Sequence, residues 1–311
     1  MMAANILQLP QAHGVLVLYK PRGPSSARCL TVLKRMGQKK IGHAGTLDPL
    51  ASGVLLVLLG HATKISNYLV EDGGKIYSGC LRLGLVTDTW DTDGRVLEEN
   101  VWEHVSEREV LAGIHAWLGR SAQPVPPYSA AKHQGQPLYK LARAGKIIPL
   151  KVKDIEISHA ELLEMELPHV RFRVACSSGT YIRSLAHSLG MRLGCGAVLT
   201  ELTREYSHPF ALDAACSLDA LRAEPERLFE WIKPVTLALP HWPLIELTAA
   251  EVARTRNGAS LPHDVQRMAG VTFQPGAHAL LQDPDKNPLA LAEARVADGV
   301  PVWSVLRGLW H

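Results

Sequence analysis

Residues 43–53, His-Ala-Gly-Thr-Leu-Asp-Pro-Leu-Ala-Ser-Gly, place one carboxylate, Asp48, in a tight polar loop that runs directly into Gly-Val-Leu-Leu-Val-Leu-Leu-Gly (53–60). An apolar run of that length without alternation predicts a strand covered on both faces, so the loop sits at the mouth of a buried sheet. Gly45 and Gly53 give the backbone conformations closed to other residues and let another chain or a ligand come close. An isolated Asp-Pro ordinarily does no more than cap a turn. What Asp48 does is therefore decided by its surroundings.

Outward from this loop the pattern alternates between strands and helices. GVLVLYK (14–20) reads as a strand, and Ser25-Ser26 caps a predicted helix through CLTVLKRM that ends at Gly37. ATKISNYLV reads as helical, KIYSGCLRLG as a half-buried strand, and TDTWDTDGR as an Asp- and Gly-rich loop. A helix is expected around Val105 to Leu118. SAQPVPPYSAAKHQGQP (121–137) carries too much Pro and Gly for a regular element and is expected as a long surface loop, of the kind more often functional than decorative. KVKDIEISHAELLEM and HVRFRVACS alternate like strands, GTYIRSLAHSLGMRLG has helical spacing, and AVLTELTREY is extended. Pro234, Pro240 and Pro243 mark the best linker, which divides the chain into residues 1–240 and a module at 241–311 with a short helix (TAAEVARTRNG) and a few strands. Some seventy residues are too few for an enzyme core and suit binding.

Composition narrows the classes. With 311 residues, two unequal domains are expected on a scale of roughly 100 to 200 residues each. An apolar content of 47% against 20% charged residues excludes a disordered chain. The longest apolar runs fall short of the roughly 20 residues that span a bilayer, and no signal-peptide layout opens the chain, so a cytoplasmic location is expected. The five cysteines are scattered without a Cys-x-x-Cys pair, and the fourteen histidines include no H-E-x-x-H, so neither a metal nor a redox dithiol is expected. A net charge of +3 alone neither demands nor excludes a polyanion.

The whole undecapeptide at 43–53, followed by VLLVLLG, resembles the signature of TruB-type pseudouridine synthases. KPRGPSS (20–26), HATKIS (61–66), KIYSGCLRLGLVTDTWDTDG (75–94), PPYSAAKHQGQPLYKLARAG (126–145) and CSSGTYIRSLAHSLG (176–190) are similar to further motifs of that family, over about residues 14–210. The chain departs from the pattern at Ser178, where a lysine is common, at Ser188, where an aspartate is usual, and in LTREYSHPF (202–210), which keeps only Arg204 of several arginines.

The resemblance implies an α+β fold. It consists of a mixed, largely antiparallel central sheet of the pseudouridine synthase type with an RNA-binding insertion at about 121–153, and a small β-rich, PUA-like C-terminal domain. The implied reaction turns the T-loop uridine of tRNA, at about position 55, into pseudouridine after extrusion from an RNA recognised mainly by shape. The N1–C1′ bond breaks, the uracil turns, and C5 bonds C1′ and loses a proton, with no redox change and hence no cofactor. By resemblance Asp48 is the essential carboxylate, acting as nucleophile or sugar base. Arg183 pairs with it and keeps it charged. Tyr77 stacks under the uracil and accepts the C5 proton. His43 fills the gap left by the base, Leu202 packs on it, and Gly45, Thr46, Lys20 and Lys64 serve the pocket or the backbone. Positive residues group before the loop (Lys34, Arg35, Lys39, Lys40) and in the insertion (Lys132, Lys140, Arg143, Lys146, Lys151, Lys153), as a phosphate footprint would require. The partner is the T-stem-loop of tRNA, and a monomer is expected. Two other functions fit the same motifs: a non-catalytic tRNA-folding helper, and a guide-dependent rRNA pseudouridine synthase. The latter tend to carry Lys-rich extensions that this chain lacks.

Overall fold

The computed structural model describes residues 8–310 apart from 72, 147–150 and 269. In chain order, its principal elements begin with β1 (Gly14–Lys20), α1 (Ser26–Arg35), β2 (Ile41–Ala44), β3 (Ala51–Leu59) and β4 (Lys75–Leu83). There follow α2 (Glu107–His115), β5 (Gly119–Pro124), β6 (Val152–Glu166), β7 (His169–Cys176), α3 (Ile182–Arg192) and β8 (Ala197–Ser207). The large sheet runs in the order β1-β3-β8-β4-β7-β6-β5, with Cys216–Ser217 outside β1. Its pairs are antiparallel except at Cys216–Ser217 and at β3–β8, where Leu202, Thr203 and Arg204 lie beside Ala51, Ser52 and Gly53. That central parallel junction stands three residues past Asp48.

The unbroken apolar run is explained by burial on both faces. Ala51, Leu55, Val57 and Leu59 of β3 join Leu16 and Leu18 in a core covered by α1, α2 and α3. Val54, Leu56 and Leu58 join Val15 and Val17 on the other side. What covers that second side is a five-stranded sheet built from β9 (Leu244–Glu246), β10 (His278–Gln282), β11 (Pro288–Ala297), β12 (Val300–Gly308) and the short strand Leu261–Pro262. Leu280, Leu291 and Leu309 from it enter the same cluster. Ahead of it, Thr248 caps the helix Ala249–Arg256 through a reciprocal box with Glu251.

One expectation is corrected. The 121–137 stretch is not all loop: Gly119–Pro124 pairs with β6 as an edge strand, and Lys132–His133 pairs with Gln136–Pro137 ahead of a short helix, Leu138–Arg143. Pro124 closes its strand at an edge, where a missing N–H is tolerated. The proline-rich stretch at 231–246, read as the linker, packs against both sheets: Val235, Ala238, Leu239 and Trp242 are buried in the shared core. Prolines interrupt regular structure there without keeping the chain in water. Among the described residues no helix is long and apolar enough to cross a membrane.

Candidate active site

The loop carrying Asp48 is held from beneath by the KPRGPSS segment. Lys20, at the end of β1 and fully buried, donates from Nζ to the carbonyls of Ala51 (2.6 Å), Pro21 (3.0 Å) and Pro49 (3.4 Å). Gly23 donates its N–H to Pro49 O at 2.8 Å. Ser26 binds Leu47 twice, accepting from its N–H and donating to its carbonyl, both at 2.9 Å. Burial pulls the Lys20 ammonium down from its usual range, with Asp48 partly offsetting this. Lys20 is thus a clamp on loop carbonyls and not a pocket-lining group.

The loop is held from the side by β8. Arg204, fully buried, donates from Nε to Val54 O (2.7 Å) and from Nη2 to Gly45 O (2.8 Å). Gly53, at φ 104°, has no room for a side chain: a Cβ there would stand 2.2 Å from Arg204 O. Close approach of β3 and β8 therefore depends on that glycine.

Above the loop, the first turn of α3 brings in Arg183. Its Nε lies 2.9 Å from Asp48 Oδ2 and 3.6 Å from Asp91 Oδ2, while Nη1 and Nη2 donate to Thr89 O (2.8 Å) and Tyr128 O (2.9 Å). Arg183 is 4% exposed and Asp48 37%, so the cation is enclosed and the carboxylate opens to solvent. Asp91, from the TDTWDTDG turn, accepts from Thr89 Oγ1 (2.5 Å), and burial raises its pKa against the pull of Arg183. The start of α3 is fixed by Gln123 of β5, which accepts from Tyr181 N–H at 2.8 Å and donates to Tyr181 O at 3.1 Å.

Asp48 opens into a cavity of about 320 Å³ lined by Gly45, Thr46, Leu47, Tyr77, Leu202 and Arg183, and also by Lys75, Ser129, Tyr181 and Arg204. It is of the size that takes a single nucleoside-sized ligand. Burial raises the pKa of the Tyr77 phenol, while the adjacent Arg204 guanidinium, bonded to it, pulls the other way. His43 on β2 is half-buried beside the loop, with Nδ1 enclosed and unpaired. Burial first and then Arg204 depress its pKa, so the ring is neutral at pH 7.

The other expected residues lie farther out. Lys64 does not line the cavity: it reaches back to donate to Gly308 O of β12, and burial, Lys40 and Arg307 together lower its pKa. Lys39 and Lys40 are exposed at the far end of β3 from Asp48, beside Gly60, one strand length away. Lys132, Lys140, Arg143 and Lys146 are exposed on the hairpin and helix that start at the cavity rim (Ser129–Ala131), with Arg143 over the Tyr139 ring at 5.6 Å. Residue-by-residue reading missed Lys75, Tyr181 and the role of Arg204. The x-Tyr of GTYIR and the lone arginine kept in LTREYSHPF were the available signals.

Residues 34–182 match the family model described as TruB family pseudouridylate synthase (N terminal domain). A tRNA pseudouridine synthase B of Nitratidesulfovibrio vulgaris is 62% identical over 96% of this chain and 99% of its own length. One of Oleidesulfovibrio alaskensis is 62% identical over 98% of each. Among solved structures, an H/ACA RNP bound to a substrate RNA containing 2′-deoxyuridine superposes with a TM-score of 0.70 at 25% identity, covering 96% of this chain and 85% of that one. A Cbf5-Nop10-Gar1 complex gives 0.70 at 26% identity over 99% and 92%. The sheet is therefore of the pseudouridine synthase type, and with relatives of this identity along nearly its whole length the chain belongs to the TruB family of pseudouridylate synthases.

Proposed function

We propose that the chain isomerises a uridine of tRNA to pseudouridine, at the T-loop position, with Asp48 as the group that attacks the nucleotide. The observation that carries this reading is the enclosed Arg183 at 2.9 Å from the one carboxylate that, among the described residues, opens into a nucleoside-sized cavity. The guanidinium stands against Asp48 and aims it, and the carboxylate meets the ribose as nucleophile or as base on a sugar proton. Leu202 and Tyr77 wall the uracil while it is free to turn. The phenol is protonated at neutral pH. The form that takes the C5 proton is the minor phenolate, which Arg204 stabilises; taking the proton returns it to the phenol, which passes the proton to solvent once the product has left. A neutral, flat His43 beside the loop suits the gap left in the RNA stack better than a charged ring would. Every step is supplied by side chains and none calls for a cofactor.

The relatives over the full length are tRNA enzymes, which favours tRNA over a guided rRNA substrate. The test is tritium release from a T-arm stem-loop labelled at uracil C5, without partners or guide RNA. Stoichiometric release by wild type and none by Asp48→Asn is expected. Binding without release by wild type would return the chain to an RNA-folding or guided role.

A further inference from the structure

Lys75 is a buried ammonium that the reaction just described leaves idle. Two residues before Tyr77 on β4, it faces the same side of the sheet and lines the same cavity. Its Nζ donates to Ser178 Oγ at 3.1 Å and to Gly73 O at 3.3 Å, both neutral acceptors. Among the described residues no carboxylate pairs with it. The neighbouring Arg204 is likewise bonded to carbonyls. Lys153 of β6 lies so close over Gly179 that a Cβ there would fall 1.7 Å from its Nζ. Lys75 and Lys153 thus meet at the Ser178–Gly179 edge of the cavity, with Arg204 beside Lys75 at Gly45, and among the described residues none of the three is in an ion pair. Burial, then Arg204 and Lys153, bring the Lys75 ammonium down to about 8.

Buried charge without a partner is costly, and a ligand that supplies the opposite charge relieves that cost. Uracil is neutral. The anions of an RNA are its phosphates, and extruding a nucleotide carries its flanking phosphates to the cavity mouth. Where the family commonly has a second lysine, Ser178 instead accepts from Lys75 and fixes its direction.

We infer that Lys75 is a substrate-binding residue whose ammonium receives a non-bridging oxygen of a phosphate flanking the extruded uridine, with Lys153 sharing the charge at the rim. This rests on the uridine-isomerase reading and adds the contact that draws the nucleotide in. Only the protonated amine can do this, so uptake weakens as pH rises through about 8. The groups facing Lys75 are Arg204 from β8, Lys153 from β6, Cys176 from β7, Tyr77 on its own strand and Asp48 across the cavity. Burial pushes Cys176 up to about 11 and raises Tyr77, so neither loses its proton first.

The test measures kcat and KM for wild type, Lys75→Met and Lys75→Arg on three T-arm stem-loops: unmodified, and with a neutral methylphosphonate 5′ or 3′ of the target uridine. On unmodified RNA, Lys75→Met should raise KM by about tenfold with little change in kcat, as expected for one charge-assisted contact, while Lys75→Arg stays near wild type. One of the two neutral linkages should cost wild type a similar factor and Lys75→Met nothing further. Above pH 8 the wild-type KM should climb toward that of Lys75→Met, and that of Lys75→Arg should not. Melting temperatures keep a folding defect apart from a binding one. Losses that simply add on both neutral linkages would overturn the inference. Wild-type turnover of the unmodified RNA in the same experiment tests the underlying function separately.

Discussion

Arg183 is asked to do three things with one planar group: bind Thr89 O, bind Tyr128 O and stand against Asp48. A lysine has a single ammonium at the end of a flexible stem and cannot span a fork whose ends touch two different loops. Arg183→Lys should therefore lower kcat by about 100-fold or more, equivalent to roughly 3 kcal/mol, while RNA affinity changes little. Single-turnover rates beside filter binding would show it, and a variant that loses affinity but keeps its rate would mean that the guanidinium serves RNA binding instead. That Asp48, Tyr77 and Arg183 would meet at one cavity was legible in the sequence because each lies in a run of residues with a recognisable neighbourhood. The places of Lys75 and Arg204 there were not, since they are set by contacts with Ser178, Gly45 and Val54, 103 to 159 residues away along the chain. Nor was the reach of Lys64 legible, its partner Gly308 being 244 residues distant.

The Asp48 loop is held because neighbouring elements grip its backbone. Ser26 at the start of α1 matters most simply: one buried hydroxyl makes two bonds to Leu47, next to Asp48. Ser26→Ala would leave a buried N–H and a buried carbonyl unpaired, at a cost of about 1–3 kcal/mol. The expected outcome is a lower melting temperature together with a kcat reduced about tenfold at nearly unchanged KM, since what is lost is the aim of the carboxylate and not the binding surface. An unchanged kcat in a destabilised protein would show that β8 and Arg204 suffice to aim the loop. Of the two strands framing this loop, β3 was readable from its unbroken apolar run, whereas β2 was not, because Ile41–Ala44 carries little apolar signal and read as loop. The edge strand Gly119–Pro124 was not, because its burial pattern is mostly exposed and its apolar signal correspondingly weak. Yet its Gln123 orients Tyr181 and the start of α3, so this weakly signalled strand contributes to the site.

Across the whole molecule, the shared core decides how the two sheets behave. Val15, Val17, Val54, Leu56 and Leu58 on the back of the large sheet are covered by Leu280, Leu291, Leu309 and Trp242. Lys64, in the helical turn Gly60–Ile65 that follows β3, adds a polar tie to Gly308. The proline cluster suggested a boundary, and composition could not reveal that the residues between the prolines are buried or that the small sheet presents leucines to the large one. Packing of this kind makes the small sheet part of the large one's stability and opposes independent unfolding. Leu280→Ala should consequently cost about 2–5 kcal/mol, the range for a fully buried leucine. Its effect should appear in the unfolding of the catalytic sheet as much as in that of the small one. Urea unfolding followed at once by hydrogen exchange in β3 and in β10 would read this directly. A parallel loss of protection in both strands is expected, whereas a loss confined to β10 would mean that the small sheet opens on its own and that its leucines cover the large sheet without supporting it.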